Sequence, residues 1–270
     1  MTEHIQFRQL LDYLDTKIVG QSELTKRLLI ALLSSGHLLV EGAPGLAKTT
    51  AIKTLSGCID CSYHRIQFTP DLLPADLTGT DIYIPEQHSF QFQAGPLFHN
   101  FLLADEINRA PAKVQSALLE AMGEKQITIG KQTYPLAKLF LVMATQNPIE
   151  QEGTYPLPEA QLDRFMFNVW LDYPTYSEEL QVVKNTTSDK KVTLSKVMDD
   201  KQIVFFQDLV RRIPVAENVM EYAVKLAIKS RPNSELAPEI VKKYVTWGAG
   251  PRASQFLIVG AKCHAMLQGK

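Results

Sequence analysis

Five short apolar segments alternate with helical stretches over roughly the first two thirds of the chain. Most of these segments are apolar at nearly every position, as expected of parallel strands that helices cover on both faces. The predicted strands are His37–Glu41, His64–Phe68, Phe101–Asp105, Phe140–Ala144 and Phe165–Trp170. Helical patterns lie between them, including Lys48–Leu55 and Ala112–Met122. This alternation predicts a doubly wound α/β domain built on a parallel sheet.

The pattern changes near residues 171–177, where Pro174 marks a connector. Five helical segments follow: Ser177–Lys184, Asp199–Arg212, Val215–Ser230, Pro238–Trp247 and Arg252–Leu267. We therefore expect an α/β core over residues 1–172 and a small all-α domain over residues 173–270. Residues 81–92 and 126–134 alternate apolar and polar positions about a turn, which predicts two hairpins inserted in the core.

The composition of the 270 residues, 45% hydrophobic and 21% charged, is typical of a soluble globular protein. Basic and acidic residues nearly cancel, to a formal net charge of -1. The overall charge therefore favours neither nucleic acid nor an anionic membrane as a partner. The longest strongly apolar stretch, Leu28–Leu33, is far shorter than the ~18 residues of a membrane span, and the first residues lack a secretory pattern. We expect a cytoplasmic protein without a membrane span.

The three cysteines suit a reducing compartment rather than a disulfide framework. Cys58 and Cys61 form a CxxC pair, but no second pair or nearby histidine pair completes a zinc site. A metal or redox role is therefore less favoured than small thiols packing at a helix end.

The segment between the first predicted strand and the next helix has the composition of a phosphate-binding loop. It consists of Gly42, Ala43, Pro44, Gly45, Leu46, Ala47, Lys48, Thr49 and Thr50. Glycines let backbone N–H groups turn toward an anion, the helix N-terminus carries partial positive charge, and a lysine ammonium reaches the β and γ phosphates. Thr49 offers a hydroxyl to Mg²⁺. Ala47 breaks the general GxxxxGK[ST] pattern, so the segment alone leaves an ordinary strand–turn–helix loop open.

Two other predicted strands end in polar side chains. Asp105 and Glu106 follow an apolar strand, where Asp105 would hold the water shell of Mg²⁺ and Glu106 would orient or deprotonate the attacking water. Asn147 follows another strand and would hydrogen-bond that water or the γ-phosphate; its alternative is a turn before Pro148. Ligands of such sheets bind at the carboxyl ends of the strands, so these residues predict one site of nucleotide hydrolysis.

Taken in order, motifs along nearly the whole chain resemble those of AAA+ ATPases, and more closely those of the MoxR family. They are IVGQ at 18–21, GAPGLAKT at 42–49, FTPDLLPADL at 68–77, AGPL at 94–97, LADEINRAP at 103–111, ATQNP at 144–148, PEAQLDRF at 158–165 and GPRA at 250–253. The alanine at position 47 matches this family's own version of the loop. The resemblance implies a P-loop AAA+ core with a five-stranded parallel sheet, ATP and Mg²⁺ as ligands, and an all-α lid that is incomplete at its C-terminal end.

The resemblance also implies roles that the residues alone do not indicate. Val19 and Gly20 would line the adenine pocket. Arg164 would be an arginine finger that reaches the γ-phosphate of a neighbouring subunit, and Arg252 would be the sensor arginine carried by the lid, because a fixed guanidinium can follow negative charge on the transferring phosphoryl group. Arg109 is a second finger candidate, ranked below Arg164.

The leading hypothesis is a Mg²⁺-dependent ATPase that assembles into a ring, expected to be a hexamer, and remodels a client protein. The resemblance suggests chaperone-like maturation of protein complexes or metalloenzymes, beside a partner with a von Willebrand factor A domain. A DNA translocase or helicase is the first alternative. The near-neutral charge, and predicted hairpin regions whose only cations are Lys125 and Lys131, make nucleic acid a less favoured partner. A monomeric small-molecule kinase is the second alternative.

Overall fold

The computed structural model of the chain describes residues 8–14, 18, 20–43, 45–46, 48–130, 132–148, 153–187 and 196–269. The strands are β1 (Leu38–Gly42), β2 (Ile59–Asp60), β3 (Tyr63–Gln67), β4 (Gly79–Ile84), β5 (Ser89–Ala94), β6 (Phe101–Asp105), β7 (Gln126–Ile129), β8 (Gln132–Pro135), β9 (Leu141–Gln146), β10 (Phe167–Leu171) and β11 (Met198–Asp199).

The helices are α1 (8–14), α2 (Ser22–Leu33), α3 (Lys48–Cys58), α4 (Pro74–Thr78), α5 (Ala112–Glu124), α6 (Glu159–Leu162), α7 (Tyr176–Thr186), α8 (Asp200–Arg212), α9 (Glu217–Lys229), α10 (Glu239–Tyr244) and α11 (Pro251–Leu267). Short 3-10 helices span Pro85–Gln87, Pro96–Phe98 and Ile107–Arg109. Within these described ranges, no helix has both the length and the apolarity to cross a bilayer.

A parallel five-stranded sheet organises the fold, in the order β10-β1-β9-β6-β3. The five predicted strands form this sheet, so the predicted α/β class is confirmed. Because all five strands run in one direction, their carboxyl ends meet at one edge. The neighbouring strands β1, β9 and β6 bring Gly42, Gln146 and Asp105 to that edge.

Each inner strand is buried on both faces, which explains its continuous apolar sequence. Leu38 and Val40 of β1 pack in one apolar cluster together with residues of α2, α3 and α8. Leu39, between them, packs in a second cluster with residues of α4 and α5. Successive side chains of a strand point to opposite faces, so both layers of helices draw on the same strands.

Both predicted hairpins are present, as the antiparallel pairs β4–β5 and β7–β8. They touch through aromatic rings: Phe92 of β5 stacks on Tyr134 of β8 with ring centroids 4.2 Å apart, and Phe98 meets both rings edge-on. Phe90, nearer the tip of the first hairpin, is 71% exposed. The two hairpins therefore share one aromatic cluster, formed by Phe92, Phe98 and Tyr134.

Among the described residues from α7 onward, all regular elements are helices apart from β11. That short strand pairs in parallel with β2, a contact the hydrophobic pattern did not predict. Helix α8 buries Ile203, Phe206 and Val210, and Gln207 Nε2 donates to the carbonyl oxygen of Leu32 at 2.6 Å. Helix α8 therefore packs directly on α2, while α9 and α11 pack on each other.

Cys58 is the buried last residue of α3, in agreement with the packing role expected for it. Burial raises the pKa of the Cys61 thiol to about 12, and the carboxylates of Asp200 and Asp60 add to the shift. Reactive thiols require the opposite shift. Across the described residues, no group of three or more His, Cys, Asp or Glu side chains is arranged to hold a metal ion.

Candidate active site

The carboxyl edge of the sheet surrounds a cavity of about 370 Å³ beside the start of α3. Its lining residues are Gly45, Leu46, Lys48, Thr49, Thr50, Arg65, Asp105, Glu106, Thr145 and Asn147. All of them except Arg65 and Thr145 were predicted from the sequence as site residues. A volume of this size is typical of a small-molecule site. The structure thus gathers residues from α3, β6 and β9 around one space.

The predicted phosphate loop connects β1 to the N-terminus of α3. Gly42 ends the strand where a Cβ atom would lie 2.8 Å from the carbonyl oxygen of Leu171, so β10 leaves no room for a side chain. Ala43 is buried, and Gly45 and Leu46 line the cavity. Pro44 and Ala47 lie outside the described residues. The described part of the loop has the strand–turn–helix setting that phosphate binding requires.

The Lys48 ammonium lies between two strand ends. Nζ donates to the carbonyl oxygen of Gly42 at 2.7 Å and to that of Gln146 at 3.3 Å. Partial burial lowers the pKa of Lys48, and the negative charges of Asp105 and Glu106 oppose the shift. A partly desolvated cation in this position attracts an anion more strongly than one in bulk water.

Thr145 joins the two carboxylate residues. Its Oγ1 donates to Asp105 Oδ1 at 2.5 Å and accepts from the backbone N–H of Glu106 at 2.9 Å. Glu106 has left-handed backbone angles, with φ 56° and ψ 50°, which turn the chain sharply where β6 ends. Non-glycine residues rarely adopt this conformation, and it occurs often at functional sites. Thr145, 1% exposed, therefore fixes both acidic residues at the end of β6.

Edge strand β3 supplies two partners for these carboxylates. Arg65 donates from Nη2 to Asp105 Oδ2 at 2.6 Å and from Nε to the same oxygen at 3.1 Å. Gln67 Nε2 donates to Glu106 Oε2 at 2.8 Å. Sequence reasoning missed both residues. Their spacing of two residues places both side chains on one face of β3. Only the position of β3 beside β6, with Gln67 opposite Asp105, brings them to the carboxylates.

Two other residues predicted to contact the nucleotide, Asn147 and Gly20, lie in different places. Asn147 follows β9 directly, is 6% exposed, and lines the cavity. Gly20, with φ 77°, lies against Pro174 and Glu178 at the start of α7, where a Cβ would be 3.3 Å from that of Glu178. Gly20 is absent from the cavity lining, and Val19 lies outside the described residues.

The three arginines singled out from the sequence have different surroundings. Arg109 Nε lies 2.9 Å from Glu106 Oε2 of its own chain. Arg252, the second residue of α11, pairs with Asp163 at 3.4 Å between Nη1 and Oδ2. Arg164 follows Asp163, and its buried Nε has no hydrogen-bond partner within the described residues. Arg164 and Arg252 thus flank one aspartate, and neither lines the cavity of their own chain.

Comparison with known proteins identifies the family of the chain. Residues 37–167 match the model of the ATPase family associated with various cellular activities (AAA). The chain is 47% identical over 259 residues to Chaperone MoxR1 of Mycobacterium tuberculosis, covering 94% of this chain and 67% of that protein. It is 41% identical over 257 residues to YeaC of Bacillus subtilis, covering 95% and 78%.

A crystal structure of a candidate ATPase from Cytophaga hutchinsonii has a TM-score of 0.90 and 43% sequence identity, covering 99% of this chain and 82% of that one. Each of these three proteins is similar to this chain over at least 94% of the chain's length. The chain belongs to the MoxR family of AAA+ ATPases, and it is an ATP-hydrolysing enzyme.

Proposed function

We propose that this ATPase is Mg²⁺-dependent, works as a ring, and uses ATP hydrolysis to remodel a client protein in a chaperone-like way. The observation that carries the proposal is the convergence of Lys48, Thr49, Asp105, Glu106 and Asn147 on one cavity. The same five residues are those from which an ATP site was predicted by their chemistry.

Each side chain has a distinct task in this proposal. Lys48 holds the β and γ phosphates, and the backbone around Gly45 and the N-terminus of α3 bind phosphate oxygens. Glu106 orients and deprotonates the attacking water, and Asn147 hydrogen-bonds the γ-phosphate. Release of Glu106 from Gln67 and Arg109 precedes this step, because both donate to the same Oε2 atom.

The residues present also fit a magnesium ion. The Thr49 hydroxyl and the Asp105 carboxylate, both on the cavity wall, are hard oxygen ligands of the kind Mg²⁺ takes up together with phosphates and water. When bound, the ion neutralises developing charge on the phosphates. Asp105 must exchange its ion pair with Arg65 for that environment, while Thr145 continues to hold its other oxygen.

A ring arrangement would explain why the predicted catalytic residues Arg164 and Arg252 lie away from the cavity. Both lie outside the cavity of their own chain, and Arg164 has a buried Nε without a hydrogen-bond partner among the described residues. We propose that Arg164 acts as a finger on the γ-phosphate held by a neighbouring subunit, and that Arg252 acts as the sensor arginine carried by the helical lid. Guanidinium groups are suited to both tasks.

The client is proposed from the relatives. A protein 47% identical to this chain is named a chaperone, and the family resemblance favours maturation of protein complexes or metalloenzymes with a von Willebrand factor A domain protein as partner. We further propose a cytoplasmic hexamer and the adenine-pocket role for Val19 and Gly20.

Two substitutions test the site. Lys48→Ala should abolish nucleotide binding, whereas Glu106→Gln should retain binding and lose hydrolysis, because only the second keeps the cation that holds phosphate. Nucleotide affinity and phosphate release measure the two effects separately. Hydrolysis at the normal rate by Glu106→Gln would remove that residue from the catalytic step. Lys53→Ala, on the same helix, is the matched control.

Mixing variants tests the ring. Lys48→Ala chains keep Arg164, and Arg164→Ala chains keep an intact cavity, so a mixture should regain activity that neither variant has alone. No gain in mixtures that form rings would refute the shared site. A specific activity that survives high dilution would favour the monomeric kinase, and salt-sensitive stimulation by DNA would favour the translocase.

A further inference from the structure

Gln115 is a fully buried amide in the first turn of α5. Its Nε2 lies within hydrogen-bond distance of three backbone carbonyl oxygens, those of Tyr155 at 2.9 Å, Ala110 at 3.1 Å and Ile107 at 3.3 Å. Its helix neighbours Val114 and Leu118 are buried apolar residues. Burying an amide among apolar side chains is costly unless it is hydrogen-bonded, and here the contacts of Nε2 join two separate segments of the chain.

The first segment is the turn that follows Glu106. The chain leaves the left-handed residue Glu106 and enters the 3-10 helix Ile107–Arg109, where the N–H of Arg109 donates to the carbonyl oxygen of Glu106 at 2.9 Å. Gln115 contacts the beginning and the end of this turn, at Ile107 and Ala110. Its amide therefore helps to hold the turn that follows the proposed catalytic glutamate.

The second segment runs from Tyr155 through α6 to Arg164. Its beginning is held by Gln115, and also by the N–H of Tyr155, which donates to the carbonyl oxygen of Asn108 at 2.6 Å. At its middle, Gln161 Nε2 donates to the Ser116 hydroxyl of α5 at 3.3 Å.

The end of this segment also rests on α5. A Cβ on Gly123 would lie 3.4 Å from Arg164 Nε, so the arginine passes closely over the backbone of that helix. The segment that carries Arg164 is thus supported by α5 at its start, middle and end.

We propose that Gln115 is a positioning residue that fixes Arg164 relative to the turn after Glu106. The position in which each subunit presents Arg164 to the neighbouring site would then depend on the conformation of the turn after its own Glu106. This inference rests on the proposed ring and on the finger role of Arg164. It adds a residue that touches no nucleotide. It also adds a physical link between the two sites that one subunit serves, its own cavity and the neighbouring cavity that its Arg164 reaches.

The test places Gln115→Met in one member of the mixed assembly. Methionine matches glutamine in length but has no N–H to donate. In the mixture described above, Lys48→Ala chains only donate the finger, and Arg164→Ala chains only hydrolyse. With Gln115→Met in the finger donor, the restored ATPase rate should fall at least about tenfold, because fingers contribute ~10³–10⁵-fold and small misplacements lose ~10²-fold.

With Gln115→Met in the hydrolysing chain instead, the loss should stay below about threefold, since Glu106 keeps its backbone bond to Thr145. Leu118→Met, a buried change on the same helix, is the matched control and should leave the restored rate unchanged in either chain. Melting temperatures of all variants accompany the rates. Should Gln115→Met not fold, Gln115→Asn replaces it, because it draws the amide back by one methylene.

A restored rate within twofold of the parent mixture, with Gln115→Met in the finger donor, would overturn the proposal. Equal losses in both placements, or a loss matched by Leu118→Met, would overturn it too, because these indicate general destabilisation. If the parent mixture of Lys48→Ala and Arg164→Ala chains shows no restoration, the shared site itself is refuted. That result is distinguishable, since it does not involve Gln115.

Discussion

Acid should destabilise the core through His37, the residue that precedes β1. Its ring is buried, its Nδ1 accepts from the backbone N–H of Val142 at 3.1 Å, and Phe140 meets it edge-on with centroids 5.7 Å apart. Burial lowers the pKa of His37 to about 3; the charge of Lys125 contributes in the same direction, and a hydrogen bond to the backbone of Met122 opposes it. The ring is therefore neutral in the folded protein at neutral pH.

The size of this loss of stability follows from the difference between the pKa of His37 in the unfolded and in the folded chain. An unfolded histidine titrates near 6.5, so on acidification the unfolded chain takes up a proton that the folded chain does not bind until about pH 3. The contribution of the neutral His37 ring to stability is fully present above pH 6.5 and is lost as the pH falls toward 3. From pH 7.5 to 5.0 the loss is about 2 kcal/mol, since each pH unit below 6.5 contributes ~1.4 kcal/mol.

Urea unfolding at pH 7.5 and 5.0 measures this loss against a matched variant. His37→Asn keeps an acceptor near Val142 but has no proton to gain, so its free energy of unfolding should depend less on pH, by about 2 kcal/mol over this range. His88→Asn, at an exposed turn, should behave like the parent. A pH dependence that is the same in His37→Asn and in the parent would refute the argument.

Three further changes probe the site and its supports. Gln67→Leu removes a donor to Glu106, so turnover should rise several-fold at constant nucleotide affinity; a fall in turnover would contradict this. Thr145→Val leaves polar groups of both acidic residues unpaired, and should lower the free energy of unfolding by ~1–3 kcal/mol and slow hydrolysis. Gly79→Ala, at φ 88° with a Cβ 2.2 Å from a carbonyl oxygen of β5, should lose more stability in urea than Gly130→Ala, at φ 59° in open space.

The sheet was predictable because most of its strands are apolar runs, and most of them end in a polar, glycine or acidic residue. The bounds of β6, Phe101–Asp105, agree residue for residue, whereas β1 and β9 begin one residue later and β10 two residues later than predicted. Capping and hydrogen bonding decide such ends, and the hydrophobic pattern does not report them. The loop and the acidic pair were also predictable, because their chemistry is carried by adjacent residues.

Residues whose partners come from strand order were not predictable. Arg65 and Gln67 reach the acidic pair only because β3 is placed beside β6, and Thr145 does so only because β9 lies on the other side. Nothing in the local sequence indicates those neighbours. The tasks of Arg164, Arg252 and Val19 and the ring stay predictions, because each concerns a bound nucleotide, a second subunit or residues outside the described ranges. The domain boundary after residue 172 also stays a prediction.

The aromatic cluster has a mechanical consequence. Strand β5 continues through Pro96–Phe98 into β6, and β8 continues into β9, so each hairpin is the direct extension of a core strand. Because Phe92 stacks on Tyr134, a pull on the exposed tip at Phe90 loads both strands together. Those strands end at Asp105 and Gln146, directly before Glu106 and Asn147, on the opposite edge of the sheet. Force applied to the hairpins outside the core would therefore be transmitted along two neighbouring parallel strands to the proposed nucleotide site.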